Sequence, residues 1–311
     1  MKITAIGELL IDLTGVGRDS RGVELYAANP GGAPANVAAA CAKLGAESAF
    51  IGRVGRDAFG EQAVRLLRGC GVDVSAVSYD ETAPTTLAVV SIGEGGERSF
   101  QFYRDMGADV RLAPEHVPGR MIASSRVLHF GSLSLTHPSS RAALLHALDA
   151  AEANGVIRSY DANYRDSLWP GEAAAVEAMR SLLCRADIVK LSLEELELLT
   201  GCGDVPSGAA EVLSMGCALL FVTCGAGGAY WYGGSSSGFV EAERVEPVDT
   251  NGAGDSFMGA ALTRLADVPR AELGRLGEGF LRETVSFAAH AAAVTCSRRG
   301  TIPALPYLGE L

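Results

Sequence analysis

Short apolar runs bounded by turn residues alternate with longer segments whose apolar positions recur every three or four residues. The alternation persists along nearly the whole chain. Ile3 to Leu10, Val127 to Leu135, Ile157 to Asp161, Ile188 to Leu191 and Leu219 to Thr223 read as short buried strands. Pro34 to Leu44, Ala58 to Arg68, Ser139 to Ala153, Ala173 to Leu183, Glu194 to Leu199 and Ser256 to Leu265 read as helices, most of them with Ala, Leu and Glu enrichment. Strand and helix in alternation predict an α/β fold, a mostly parallel sheet covered by helices on both faces. Such sheets bind ligands at the carboxyl ends of their strands.

Two stretches depart from this rhythm. Thr85 to Tyr103 reads as an antiparallel hairpin with Glu94-Gly95-Gly96-Glu97 as its turn, and Leu13 to Ala28 is polar, glycine-bearing and not helical. Together they predict a small β lid, discontinuous in sequence, from about 13–30 and 84–106 of a chain that otherwise forms one domain over 1–311. The run Gly233 to Gly238 reads as a hairpin loop, being too short to link domains.

Composition narrows the function. Hydrophobic residues at 48% and charged ones at 20% mark a globular chain. No stretch approaches the ~20 apolar residues of a membrane helix, and Met1-Lys2 leads into a core strand instead of a signal peptide, which points to the cytoplasm. Lys+Arg 26 against Asp+Glu 37 gives a net charge of −11, which disfavours nucleic acid as the main partner. The seven cysteines are scattered and never spaced as CxxC, so buried thiols are expected and not a disulfide framework or zinc site.

The segment Asp249-Thr250-Asn251-Gly252-Ala253-Gly254-Asp255-Ser256-Phe257 carries the strongest chemical signal. Gly252, Ala253 and Gly254 can bring bare N–H groups to a phosphate, and the helix that follows adds its own unpaired donors. Asp255 would repel a phosphate, yet it suits the removal of a proton from an attacking hydroxyl. The alternative is an acid that merely caps a helix after a glycine turn. Gly31-Gly32-Ala33-Pro34-Ala35-Asn36 likewise precedes a helix, with Asn36 offering both donor and acceptor to a sugar hydroxyl or serving structure alone. Asp12 interrupts an apolar run at the end of the first strand, as a ligand contact or a solvated loop start. Neither the GxGxxG of nicotinamide enzymes after a first strand nor the GxxxxGK[ST] of P-loop enzymes is present.

These residues resemble the ribokinase-like family of sugar kinases over nearly the whole chain. Asp249 to Phe257 is similar to the family's carboxyl-terminal signature and Gly31 to Ala42 to its amino-terminal one. GGAPANVA, FGSLSL at Phe130 to Leu135 and DANYRDSLW at Asp161 to Trp169 look most like the fructokinase branch. The resemblance implies a three-layer α/β/α sandwich with a β-sheet lid, and an ATP- and Mg²⁺-dependent kinase acting on a primary hydroxyl, with D-fructose foremost. Kinases of 2-keto-3-deoxygluconate or of a riboside are the rivals, and a non-catalytic sugar sensor is the reading outside the class.

The resemblance also distributes roles. Asp255 is the base, with Gly252, Ala253 and Gly254 as the anion hole. Asp12, Gly31, Gly32 and Asn36, with Tyr103 and Arg104 from the lid, meet the sugar. Asn163 and Arg165 meet phosphate or substrate. Lys190, Ser192, Glu195, Thr223, Gly225, Gly228 and Ala289 fall to the nucleotide, with Glu195 organising Mg²⁺ through water. Ser192 stands where many relatives have Asn, and Ala289 where they have an Asn near adenine. Asp249, Asn251, Thr295, Arg298 and Gly300 match positions whose oxygens hold a monovalent cation such as K⁺ in some relatives. Apolar Leu87, Val89 and Phe100 on the lid predict pairing with a second copy.

Overall fold

The computed structural model describes residues 2–92, 98–234 and 236–311. The chain begins with β1 (Ile3–Ile6), β2 (Leu10–Arg18) and β3 (Glu24–Gly31), followed by α1 (Ala33–Lys43), β4 (Ser48–Gly55), α2 (Ala58–Gly69) and β5 (Asp73–Asp80). Next come β6 (Leu87–Ile92), β7 (Arg98–Tyr103), α3 (Gly119–Ala123), β8 (Val127–Gly131), α4 (Pro138–Ala153), β9 (Ile157–Asp161) and α5 (Glu172–Leu183). The last part runs through β10 (Ile188–Ser192), α6 (Leu193–Thr200), α7 (Val205–Ser214), β11 (Leu219–Thr223), β12 (Gly228–Gly233), β13 (Ser237–Glu241), α8 (Ala253–Leu265) and α9 (Glu278–Cys296).

Among the described residues the strands form a nine-stranded sheet in the order β13-β12-β11-β10-β9-β8-β1-β4-β5 and a four-stranded sheet in the order β3-β2-β6-β7. The large sheet is parallel from β11 through β5, with β12 and β13 antiparallel at one edge. Its two-residue alternation divides the core. Leu128, Phe130, Tyr160, Val189, Leu191, Leu220 and Val222 pack on one side against α4 to α7. Val127, Ile157, Ile188, Leu219 and Phe221 pack on the other against α1, α8 and α9. Both faces of these strands are buried, which is why they read as continuous apolar runs.

Several expected boundaries shift. The Ile3 to Leu10 run is not one strand: β1 ends at Ile6, and the chain turns through Gly7 to enter the small sheet as β2. A Cβ on Gly7 would lie 2.6 Å from Pro34 Cγ, so this turn packs where no side chain fits. Asp12 therefore belongs to the small sheet and not to the end of the first strand. The Val127 to Leu135 run ends as a strand at Gly131, and a short 3₁₀ turn follows at Leu133–Thr136. The Thr85 to Tyr103 segment does contain antiparallel β6 and β7, but the Glu94 to Glu97 turn lies outside the described residues. Gly233 to Gly238, apart from Ser235, which lies outside them too, joins the antiparallel β12 and β13.

Candidate active site

The small sheet faces the carboxyl ends of the central strands, and a cleft lies between them. Register decides which of its side chains look into the cleft. Asp12 pairs with Ala88, and Ala88 with Phe102, so these three share one face. Asp12 and Phe102 line the cleft with Glu8, Leu133, Asn36 and Asp255. Tyr103, one residue on, takes the opposite face and is 59% exposed. The expected Tyr103 contact is thus not brought to the cleft, and Phe102 stands there instead; two-residue alternation from Asp12 was the signal that could have found it.

Asp255 and Asn36 come from helices more than two hundred residues apart in sequence. They meet because α1 and α8 cross on small residues. A Cβ on Gly259 would lie 2.5 Å from Ala40 Cβ, and the Cys41 thiol bonds to the Gly259 carbonyl at 3.4 Å. Asn36 Nδ2 then donates to Asp255 Oδ2 at 2.7 Å, while buried Asn36 Oδ1 has no partner among the described residues. An acceptor left so in a cavity wall suits a ligand hydroxyl.

The helix carrying Asp255 starts earlier than its periodicity suggested. Gly252 is its N-cap at φ 78°, and Ala253, Gly254 and Asp255 form the first turn. A Cβ on Gly252 would press on Thr301 Cγ2 at 2.5 Å. The glycine loop is therefore itself the helix N-terminus, whose first N–H groups have no partner within the helix. Burial, then the Asp161 charge, pushes the Asp255 carboxyl up to about 6, against the pull of Asn36, Lys190 and Arg165. That suits a base working near neutrality.

Two more acids share the cleft. Burial raises Asp12 to about 7, opposed chiefly by Arg165. It raises Glu8 to about 7 too, opposed chiefly by Arg104. Glu8, 4% exposed, accepts the Ala33 N–H at 2.9 Å and so tethers the start of α1. Nothing in the motifs around Glu8 marked it as part of the site. Gly31 and Gly32 belong to the same wall: a Cβ on Gly31 would meet Asp12 Oδ2 at 2.7 Å, and one on Gly32 the Glu8 carbonyl at 2.4 Å. Arg104 is turned inward. It is 3% exposed and donates to Asp109 Oδ2 at 2.7 Å, Thr136 Oγ1 at 2.6 Å and the Leu133 carbonyl at 3.2 Å.

Beyond Asp255 lies a second cavity of about 440 Å³, lined by Asn163, Arg165, Lys190, Ser192 and Glu195 among others. Asn163 and Arg165 line both cavities. Asn163 has φ 44°, the one positive φ at a non-glycine among the described residues, and such backbone is retained where the surroundings fix it. Lys190 Nζ donates to both carboxylate oxygens of Asp161 at 3.0 Å. Asp161 ends a wholly buried five-residue strand, and an acid in that place was the available clue to it. Glu195 and Ser192 cap α6 reciprocally, with Glu195 Oε2 accepting the Ser192 N–H at 2.8 Å and Oε1 the Tyr164 N–H at 2.8 Å.

Thr223 ends β11 beside Ser192, and the loop after it turns through Gly225 at φ 53° and Gly228 at φ 128°. Ala289 is partly exposed on α9. Asp249 joins two segments, Oδ1 accepting the Asn251 N–H at 2.9 Å and Oδ2 the Gly300 N–H at 3.2 Å. The Thr295 hydroxyl is bonded to Ser256 and Ala291, and Arg298 pairs with Glu310, so any cation there would rely on main-chain oxygens at these two positions.

Comparison with known proteins agrees with this geometry. Fructokinase-2 of Solanum habrochaites is 39% identical over 314 residues, spanning 99% of this chain and 94% of that one. The structure of fructokinase with bound ATP from Xylella fastidiosa is similar at a TM-score of 0.92 and 33% identity, covering 99% of this chain and 96% of that one. Fructokinase from Vibrio cholerae O395, in its fructose, ADP and calcium ion bound form, is similar at a TM-score of 0.85 and 32% identity, covering 98% and 95%. Residues 1–308 match the pfkB family of carbohydrate kinases, and the chain, with Asp255 in the first turn of α8 between its two cavities, belongs to that family.

Proposed function

We propose that this kinase transfers the γ-phosphoryl group of ATP to the primary hydroxyl of D-fructose, in the cytoplasm. The observation that carries the reading is the place of Asp255: in the first turn of α8, held by a single bond from Asn36, between the Asp12 side of the cleft and the Lys190 side. Asp12, Gly31, Gly32 and Asn36 hold the sugar hydroxyls, and the small sheet closes over them as a lid that excludes water. The sugar oxygen forms its bond to the γ-phosphorus as the bond from that phosphorus to the ADP oxygen breaks, and the hydroxyl proton passes to Asp255. The N–H groups of Gly252, Ala253 and Gly254 meet the charge on the phosphoryl oxygens.

Thr223, Gly225, Gly228 and Ala289 border the nucleotide, with Asn163 and Arg165 toward its phosphates. Both Glu195 oxygens accept N–H bonds and each keeps a lone pair for a water, a donor set that fits Mg²⁺ held through water. Bound Mg²⁺ neutralises phosphate charge. Asp249, Asn251 and the main-chain oxygens of Thr295, Arg298 and Gly300 are the proposed monovalent-cation site, tested by comparing rates in K⁺ and Na⁺. Arg104, already committed to Asp109, is poorly placed to receive a substrate carboxylate, which favours fructose over 2-keto-3-deoxygluconate.

The deciding experiment follows ADP release from Mg-ATP with D-fructose, ribose, 2-keto-3-deoxygluconate or no sugar. Release driven by fructose is expected; release driven by another sugar replaces the substrate, and tight sugar binding without release replaces the kinase with a sensor. A homodimer through the lid is proposed as well. Val16, Leu25, Tyr26 and Tyr103 on the small sheet, and Val23 in the turn between β2 and β3, are about half exposed, whereas Leu87 and Val89 are partly covered. The Phe100 side chain lies outside the described residues. A monomer mass in light scattering would refute the dimer.

A further inference from the structure

Lys190 is placed where burial and a helix N-terminus both oppose a cation. It stands third in β10 and pairs in register with Asp161, the last residue of β9, on the sheet face that carries α8. A Cβ on Gly254 would be 3.0 Å from Lys190 Nζ, so the ammonium lies against the first turn of α8. That end of a helix bears partial positive charge and unpaired N–H groups, and it attracts anions. Lys190 is 7% exposed, and the carboxylate bonded to its ammonium is Asp161, 1% exposed and accepting through both oxygens. Burial by itself would drive the proton off Lys190, but Asp161 first, and Glu195 after it, hold the ammonium above its ordinary range. His129, on β8 and bonded to Ser159 of β9 at 3.0 Å, is kept neutral by burial and then by Lys190, so it adds no cation.

A buried cation and a helix N-terminus aimed at one spot together favour an anion between them. We propose that Asp161 is a positioning residue for phosphoryl transfer, holding the Lys190 ammonium against the first turn of α8 so that Lys190 touches the transferring phosphoryl group. This rests on the kinase reading above. Lys190 keeps its protons throughout; the proton lost by the sugar goes to Asp255, the phosphorus exchanges the ADP oxygen for the sugar oxygen, and Lys190 contributes charge and a hydrogen bond. The absence of a side chain at Gly254 leaves the room this contact needs.

The test is a double-mutant cycle in the full chain with Mg-ATP and fructose, following kcat, KM and the acid limb of kcat/KM. The charged groups facing Asp255 are Asp161 from β9, Arg165 from the loop after β9, Lys190 from β10 and Asp12 from β2. Lys190→Met should lower kcat about 10²-fold and move the acid limb to higher pH. Asp161→Asn should lower kcat about tenfold and move the limb to lower pH, because its charge no longer opposes ionisation of Asp255. Lys190→Met with Asp161→Asn should match Lys190→Met alone in kcat, with the limb returned near its wild-type position. That neutral pair decides the matter where a single variant does not fold. Wild-type kcat in Lys190→Met, losses that multiply in the double variant, or an acid limb that never moves would each overturn the inference. Asp255→Asn is the control: if it turns over normally, the kinase mechanism itself fails, whereas an inactive Asp255→Asn beside a fully active Lys190→Met removes this inference alone.

Discussion

Asp80 and Asp255 are both buried carboxylates, 5% and 8% exposed, at opposite extremes of treatment. Asp80, at the end of β5, accepts from the Thr82 and Ala83 N–H groups at 2.9 Å, the Thr82 hydroxyl at 3.0 Å and Arg53 Nε at 3.1 Å. Burial alone would raise its pKa, but these donors together carry it well below the usual carboxylate range. Among the described residues Asp255 receives one side-chain bond, from Asn36, and burial pushes it up to about 6. Both acids are fixed in place, yet one is saturated and the other is left able to take a proton. Burial raises both carboxyls, and the donors given to one and withheld from the other, together with the deeper burial of Asp255, separate a site from a staple.

Asp255→Asn breaks the comparison most forcefully. It should fold and bind sugar while turnover falls by roughly 10²–10⁴-fold. Its melting temperature at pH 8 should equal or exceed that of the wild type. The sign follows from linkage: a carboxyl raised from 3.8 to about 6 gives its full stabilisation below the unfolded pKa and loses it as pH rises through about 6. Turnover close to normal would exclude Asp255 as the base.

Asn36→Ala sharpens the same point with a smaller effect, a fall of roughly 10–100-fold in kcat/KM from losing one hydrogen bond to a charged group. Because that bond lowers the Asp255 pKa, the acid limb should also shift to higher pH, and an unmoved limb would confine Asn36 to sugar contact. In the unaltered protein the limb should centre near the Asp255 value of about 6, with activity falling about tenfold per pH unit below it. An acid limb near 4 would mean that substrate resolvates the carboxyl.

Asp80→Asn is the counterpart: about 1–3 kcal/mol lost from stability, read by denaturant titration, with kcat within a few-fold of normal. A large kcat loss at unchanged stability would erase the distinction between the two acids. Gly259→Ala lies between the two classes. Its methyl would press Ala40 at 2.5 Å and part α1 from α8, costing about 1–3 kcal/mol and loosening the Asn36 to Asp255 bond. Normal stability together with normal kcat would show that this crossing does not position the base.

Much of this molecule was readable from its residues because local forces act through near neighbours. Runs such as Leu219 to Thr223 are apolar without alternation, as strands covered on both faces must be, and Pro34 and Ala58 open helices close to where their periodicity began. The glycines and acid of Asp249 to Phe257 announced a glycine-led turn with an acid inside it, and the structure has Gly252 as the N-cap of α8 and buried Asp255 in its first turn. What escaped were consequences of pairing and crossing. Gly7 divides an apolar run between two sheets because the Pro34 ring occupies the space beside it, and strand register gives Phe102 the cleft while turning Tyr103 away.

The sequence by itself determined the α/β architecture, the family and the residue types of the chemistry, since periodicity, turn preference and signature spacing are properties of neighbouring positions. Only the tertiary structure decided that Asn36 holds Asp255, that Arg104 turns inward to Asp109, and that Asp161 sets Lys190 against the first turn of α8. Those are meetings of distant segments in a dry interior, where burial and a few ångströms fix which carboxylate keeps its charge and which can accept a proton.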